Sequence, residues 1–193
     1  MKSITLLGIK HCGKSTQGKL LAKKLVIPFY DTDDLITQRT GLAPRELYIR
    51  NGERAFMDAE AQTCTYLHSL LQEKNEHAVI ATGGGICKNA DAIATLKTMS
   101  VLVFLKAEES TAAERIMREV TVSADGSLKN LPAYIAKENP HTKDDVRMIF
   151  HEFYIERTRQ YEKIASICIR MEPVSKQENL QRIYSELKRS AAI

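Results

Sequence analysis

Short apolar runs alternate with stretches of three-to-four-residue apolar spacing along the whole chain, and each change of period marks a change of element. Ile4-Thr5-Leu6-Leu7 is the first apolar run and stops at Gly8, whereas Thr16 to Leu25 places Leu20, Leu21 and Leu25 at helical spacing. Val26-Ile27-Pro28-Phe29-Tyr30 predicts a second strand, and Leu35-Ile36 opens a short helix that Gly41 ends. Pro44 opens another helix, broken at Asn51-Gly52, after which Glu53 to Leu71 continues as a long amphipathic one. Ala78 to Thr82 is a third strand, Asn89 to Thr98 a helix, Val101 to Leu105 a fourth strand and Ser110 to Glu119 a helix. Asp144 to Ile164 is again helical, Ile167-Cys168-Ile169 is a fifth strand, and Ser175-x-x-Glu178 forms a capping box for a final helix. Short, uniformly apolar strands alternating with helices predict an α/β fold with a five-stranded parallel sheet covered by helices on both faces. Between Val120 and Pro132 the periodicity fades. With Asp125-Gly126 as a turn, this polar stretch is long enough for a mobile lid.

Composition narrows the picture modestly. At 193 residues, 44% apolar and 27% charged, the chain is an ordinary globular length for one domain. A net charge of +4 and the lack of any block of five like charges argue against a nucleic-acid partner. No apolar run approaches a membrane span, and a strand so close to the N-terminus leaves no signal or transit peptide to be expected. Cys12, Cys64, Cys87 and Cys168 are scattered without metal-ligand spacing, which predicts reduced thiols and a cytoplasmic protein.

The candidate chemistry sits where the strands end. Gly8-x-x-x-x-Gly13-Lys14-Ser15-Thr16 reads G-x-x-x-x-G-K-S-T between a strand and a helix, the pattern of a phosphate-binding P-loop. Gly8 and Gly13 let the backbone turn tightly, and the loop N–H groups with the first helical turn converge on a phosphate. Lys14 reaches the β- and γ-phosphates and the Ser15 hydroxyl holds Mg²⁺, which makes ATP and Mg²⁺ the expected cofactors. Asp31 and Asp33 follow the second strand, two residues apart, so in extended backbone they would point the same way and divide work between metal and substrate. A helix cap with acidic first-turn charge remains the other reading for Asp33 and Asp34. Gly83-Gly84-Gly85 directly after the third strand suggests a ligand close to bare backbone.

This ordered set, with Gly52-Glu53-x-x-Phe56-x-x-x-Glu60 and Arg157 before Tyr161, resembles the shikimate kinase family of P-loop kinases over nearly the whole chain. The resemblance implies one kinase domain over residues 1–193, with a substrate-binding region at about 33–62 and a lid at about 119–133. It also implies nucleotide contacts from Lys14, Ser15 and, against adenine, Arg118. Asp31 would assist the metal, and Asp33 would bind the substrate hydroxyls and act as base. Gly83, Gly84 and Gly85 would line the pocket, and Arg157 would grip a carboxylate. Partners reduce to ATP and a small hydroxylated acceptor, and a monomer is expected.

Two departures from the family pattern bear on the acceptor. Met57 stands where the family carries a carboxylate-binding arginine beside Phe56, and residues 120–132 contain no arginine, only Lys129. Each lost charge-assisted hydrogen bond is worth about 1.5–3 kcal/mol. Losing two predicts roughly hundredfold to several-thousandfold weaker carboxylate binding. Arg54, one helical turn before Met57, is a candidate substitute. On this reading the chain phosphorylates shikimate weakly, or a related acceptor with its carboxylate absent or elsewhere. The second reading is a nucleotide-binding module that has lost or changed its activity.

Overall fold

The computed structural model describes residues 2–193. Strand β1 (Ser3–Leu7) is buried at all five positions, as a central strand covered on both faces must be. It ends at the loop that leads into α1 (Lys14–Leu25), followed by β2 (Phe29–Asp31), α2 (Thr32–Thr40) and α3 (Pro44–Lys74). After β3 (Val79–Ala81) and a single 3₁₀ turn come α4 (Ala90–Met99), β4 (Ser100–Lys106) and α5 (Glu109–Glu119). A hairpin of β5 (Thr121–Val122) and β6 (Leu128–Lys129) leads through α6 (Ala133–Ala136) into α7 (Lys143–Ile164), β7 (Ile167–Arg170) and α8 (Lys176–Arg189). The main sheet is wholly parallel in the order β2-β3-β1-β4-β7. The chain steps from β1 outward to β2 and back to β3, then crosses to β4. The carboxyl ends of β1 and β3 therefore flank a topological switch point, where open α/β sheets hold ligands.

Local sequence explains most boundaries. Thr142 with Asp145, and Ser175 with Glu178, form reciprocal capping boxes that start α7 and α8. Gly52, at φ +85° and ψ 171°, breaks α3 where Asn51-Gly52 predicted it. Two expectations are corrected. Val26 does not start a strand: it caps α1 in the left-handed region (φ 58°) and is 90% exposed, and pairing begins only at Phe29. Asp33 is not in extended backbone, because the Asp31 side chain accepts from the Asp33 N–H (3.1 Å) and turns the chain into α2. Within residues 120–132 the turn expected at Asp125-Gly126 is present, where Asp125 accepts from Ser127 N–H and Oγ and tightens the β5–β6 hairpin. No helix of the described residues is long and apolar enough to cross a membrane.

Candidate active site

The loop between β1 and α1 has the shape that its glycines require. A Cβ at Gly8 (φ +146°) would lie 2.6 Å from Cys12 Sγ and 2.8 Å from the Leu105 carbonyl. Lys14 is buried, and its Nζ donates to the carbonyls of Gly8 and Ile9, both at 2.9 Å. The ammonium is thus stored inside the loop across which a phosphate would lie. Ser15 Oγ donates to Asp31 Oδ2 at 2.7 Å, joining the first turn of α1 to the end of β2. This hydroxyl–carboxylate pair is an all-oxygen donor set suited to a hard divalent cation that keeps most of its ligands as water and phosphate.

Gly83-Gly84-Gly85 ties the loop to a second cavity. A Cβ at Gly84 would come within 2.7 Å of the Lys10 amide nitrogen, so this glycine packs directly on the P-loop backbone. A Cβ at Gly83 would stand 3.0 Å from Asp33 Oδ1 and 3.3 Å from Glu60 Oε1, which places the two carboxylates side by side. Burial pushes Asp33 up to about 6, with Asp31 adding to the rise and Lys14 opposing it. Burial likewise pushes Glu60 up to about 7, against a 2.9 Å hydrogen bond from Asn89 and with help from the Asp33 charge. Asp33 Oδ1 is buried with no hydrogen-bond partner, and among the described residues no ion pair involves Glu60.

Asp33 and Glu60 lie along a cavity of about 480 Å³ that also meets Met57, Gly84, Gly85 and Arg157. The Arg157 guanidinium stacks 4.2 Å from the centre of Tyr134 and 4.9 Å from that of Phe153, and donates to the Gly84 carbonyl at 3.2 Å. Its buried Nε has no partner among the described residues. Three other cavity cations are occupied by carboxylates: Lys10 by Glu119 (3.3 Å), Lys88 by Glu156 (3.3 Å) and Lys137 by Glu53 (3.2 Å).

The sequence-selected residues divide accordingly. Gly8, Gly13, Lys14, Ser15 and Thr16 form the loop and the first turn of α1, Asp31 joins them from the end of β2, and Asp33, Met57, Gly83, Gly84, Gly85 and Arg157 gather around or beside the adjoining cavity. Arg54 does not join them. It is exposed and lines an adjoining groove with Asp58 and Asp91, which meets the cavity at Met57 and Asn89. Arg118 also stays outside: it is exposed and, among the described residues, reaches only Glu114, at 3.8 Å. Arg115, one turn earlier on α5, is the arginine that touches the loop, donating to the His11 carbonyl at 2.5 Å. The three-residue offset between the two put them within one turn, and only packing chose between them. Arg45 and Lys137, which carry no motif, are further cavity residues that pattern alone left unmarked.

A family model described as shikimate kinase matches residues 10–188. A shikimate kinase of Thermodesulfovibrio yellowstonii is 32% identical over 189 residues, covering 98% of this chain and 96% of the relative. One of Clostridium botulinum is 37% identical over 127 residues, 66% of this chain and 71% of the relative. Among solved structures, the shikimate kinase of Aquifex aeolicus has a TM-score of 0.71 at 28% identity, covering 98% of each chain. That of Acinetobacter baumannii, in complex with shikimate, has a TM-score of 0.80 at 24% identity, covering 98% of this chain and 94% of that one, and supports the fold alone. With a P-loop and an acid-floored cavity on the matching parallel sheet, this chain belongs to the shikimate kinase family, P-loop kinases that transfer a phosphoryl group from ATP to an alcohol.

Proposed function

We propose that the acceptor is shikimate or a close hydroxylated cyclic acid, phosphorylated from Mg²⁺-ATP. One observation carries this reading. A buried carboxylate with a free oxygen (Asp33) and an arginine held by two aromatic rings (Arg157) meet in one cavity backed by the P-loop through Gly84. Asp33 would accept the proton of the attacking hydroxyl, and Arg157 would hold the acceptor's carboxylate. Lys14 would leave the Gly8 and Ile9 carbonyls to meet the β- and γ-phosphates, while the loop N–H groups fix the chain of phosphates. Ser15 and Asp31 would hold Mg²⁺, whose chemistry here is to neutralise charge on the phosphate oxygens. Residues 33–62 then supply the acceptor's helix and residues 119–133 the cover, all from a single chain. The complete set Lys14, Ser15, Asp31 and Asp33 favours a working kinase over an inert nucleotide-binding module, because binding alone has no use for a base in a second cavity.

Coupled ADP release with shikimate and a panel of hydroxy acids and sugars tests this, with the product identified by mass. Saturable shikimate turnover with a Michaelis constant of about 1 mM or below supports the acceptor. Turnover confined to compounds other than hydroxylated cyclic acids overturns it, and ADP release with none of the panel returns the module.

The pH dependence is a second test. A base must be ionised to accept a proton, so kcat/KM should fall as pH drops through about 6, where burial and Asp31 set Asp33. An unperturbed aspartate would keep activity down to about pH 4. Asp33→Asn should lower the rate and abolish this limb. A limb that survives in Asp33→Asn assigns it to another group.

A further inference from the structure

Five cationic side chains line the acceptor cavity, and their partners separate them. Lys10, Lys88 and Lys137 are each held by a carboxylate at 3.2–3.3 Å. Arg157 and Arg45 have none among the described residues. Arg45 makes no hydrogen bond or ion pair at all there, although an acidic neighbour adjoins it in sequence: Glu46 is taken instead by Arg50 in an i,i+4 pair. Arg45 lies in the first turn of α3, just after Pro44, whose fixed φ suits the start of a helix. One turn on, Tyr48 packs edge-on against Phe56 (centroids 6.1 Å), and this contact anchors the helical turn that carries Arg45 at the cavity wall.

We infer that Arg45 is a specificity-determining residue that, with Arg157, holds the acceptor's carboxylate, the guanidinium role having moved from position 57 to position 45. This rests on the acceptor reading above. Arg157 offers its buried, unpartnered Nε side and the free part of its fork from α7, and Arg45 lines the same cavity from α3. Two guanidiniums from separate elements can bind the two oxygens of one carboxylate, a geometry that the ammonium of a lysine does not reproduce. Met57 then has no recognition duty. Its side chain supplies apolar wall and its carbonyl accepts from Asn89 Nδ2 at 2.8 Å, which orients the amide that also bonds Glu60. Arg54 is exposed and is not among the residues that line the acceptor cavity.

The test compares shikimate with its methyl ester, which keeps the ring hydroxyls and removes the charge, in wild type and in Arg45→Ala, Arg45→Lys and Arg45→Ala/Met57→Arg. Arg45→Ala should raise the KM for shikimate by about ten- to a hundredfold and leave the KM for ATP and for the ester within about twofold. Arg45→Lys should recover part of the loss and the double variant most of it. Because Arg45 is exposed and unbonded, thermal melting should be the same for all single variants. Arg45→Ala with an unchanged shikimate KM overturns the inference and leaves shikimate standing as acceptor. Equal losses for shikimate and ester also overturn it, since they mark a role in shape rather than in charge. Absence of wild-type turnover with shikimate and with every other hydroxylated cyclic acid overturns the acceptor reading and this inference with it.

Discussion

Lys14→Ala should lower kcat by a factor of about a thousand or more, because phosphoryl transfer is catalysed by positioning and charge neutralisation rather than by covalent chemistry. The structure adds a reason beyond the motif. Lys14 is buried and bonded to two loop carbonyls at 2.9 Å, so it organises the loop before any phosphate arrives. Removing it leaves the Gly8 and Ile9 carbonyls without that donor and costs stability of about 1–3 kcal/mol, within what a domain of this size tolerates. Lys14→Met separates the two duties. It keeps the apolar stem and loses the charge, so it should melt closer to wild type while remaining as inactive as alanine. Single-turnover measurement of ADP formation, with circular dichroism as the check on folding, decides the matter. Wild-type transfer in either variant would remove the P-loop lysine from the mechanism.

What the amino-acid sequence alone makes legible follows the range of the interactions. Gly8, Gly13 and Gly83-Gly84-Gly85 were legible because backbone geometry at a strand end leaves little choice of residue, and the five sheet strands because all are apolar over short runs. Val26 misled because a β-branched residue in a left-handed cap is rare, and nothing in its neighbours announces one. The direction of Asp33 depended on whether Asp31 would cap a helix, a hydrogen bond that composition permits but does not demand. Arg115 against Arg118, and Arg45 against Arg54, were beyond reach for one reason. Each pair shares a helix, and which member faces the loop (Arg115) or the cavity (Arg45) is fixed by how that helix packs on elements far away in sequence. Glu60 was visible as part of a motif, yet the consequence of placing it beside Asp33 without an arginine at 57 is a matter of burial.

That consequence is measurable as stability. The folded state binds the Glu60 proton more tightly than the unfolded chain, since its pKa rises from 4.5 to about 7. Between those values the native protein holds more protons than the unfolded one, so stability falls as pH rises, and the full cost is present above about pH 7. At about 1.4 kcal/mol per unit, the cost is of order 3 kcal/mol, shared with Asp33 because the two carboxyls titrate as a pair. Glu60→Gln removes the charge at nearly constant volume. Its amide oxygen can still accept from Asn89, and its NH₂ can donate to the partnerless Asp33 Oδ1. Urea unfolding should therefore show the variant about 1–3 kcal/mol more stable than wild type at pH 8 and nearly equal to it at pH 5. Met57→Arg should move stability the same way at pH 8 by giving Glu60 a cation, and Met57→Leu should not. If wild type and Glu60→Gln ran parallel from pH 5 to 8, Glu60 would be ionised in the native protein at its ordinary pKa. The uncompensated carboxylate pair would then be absent.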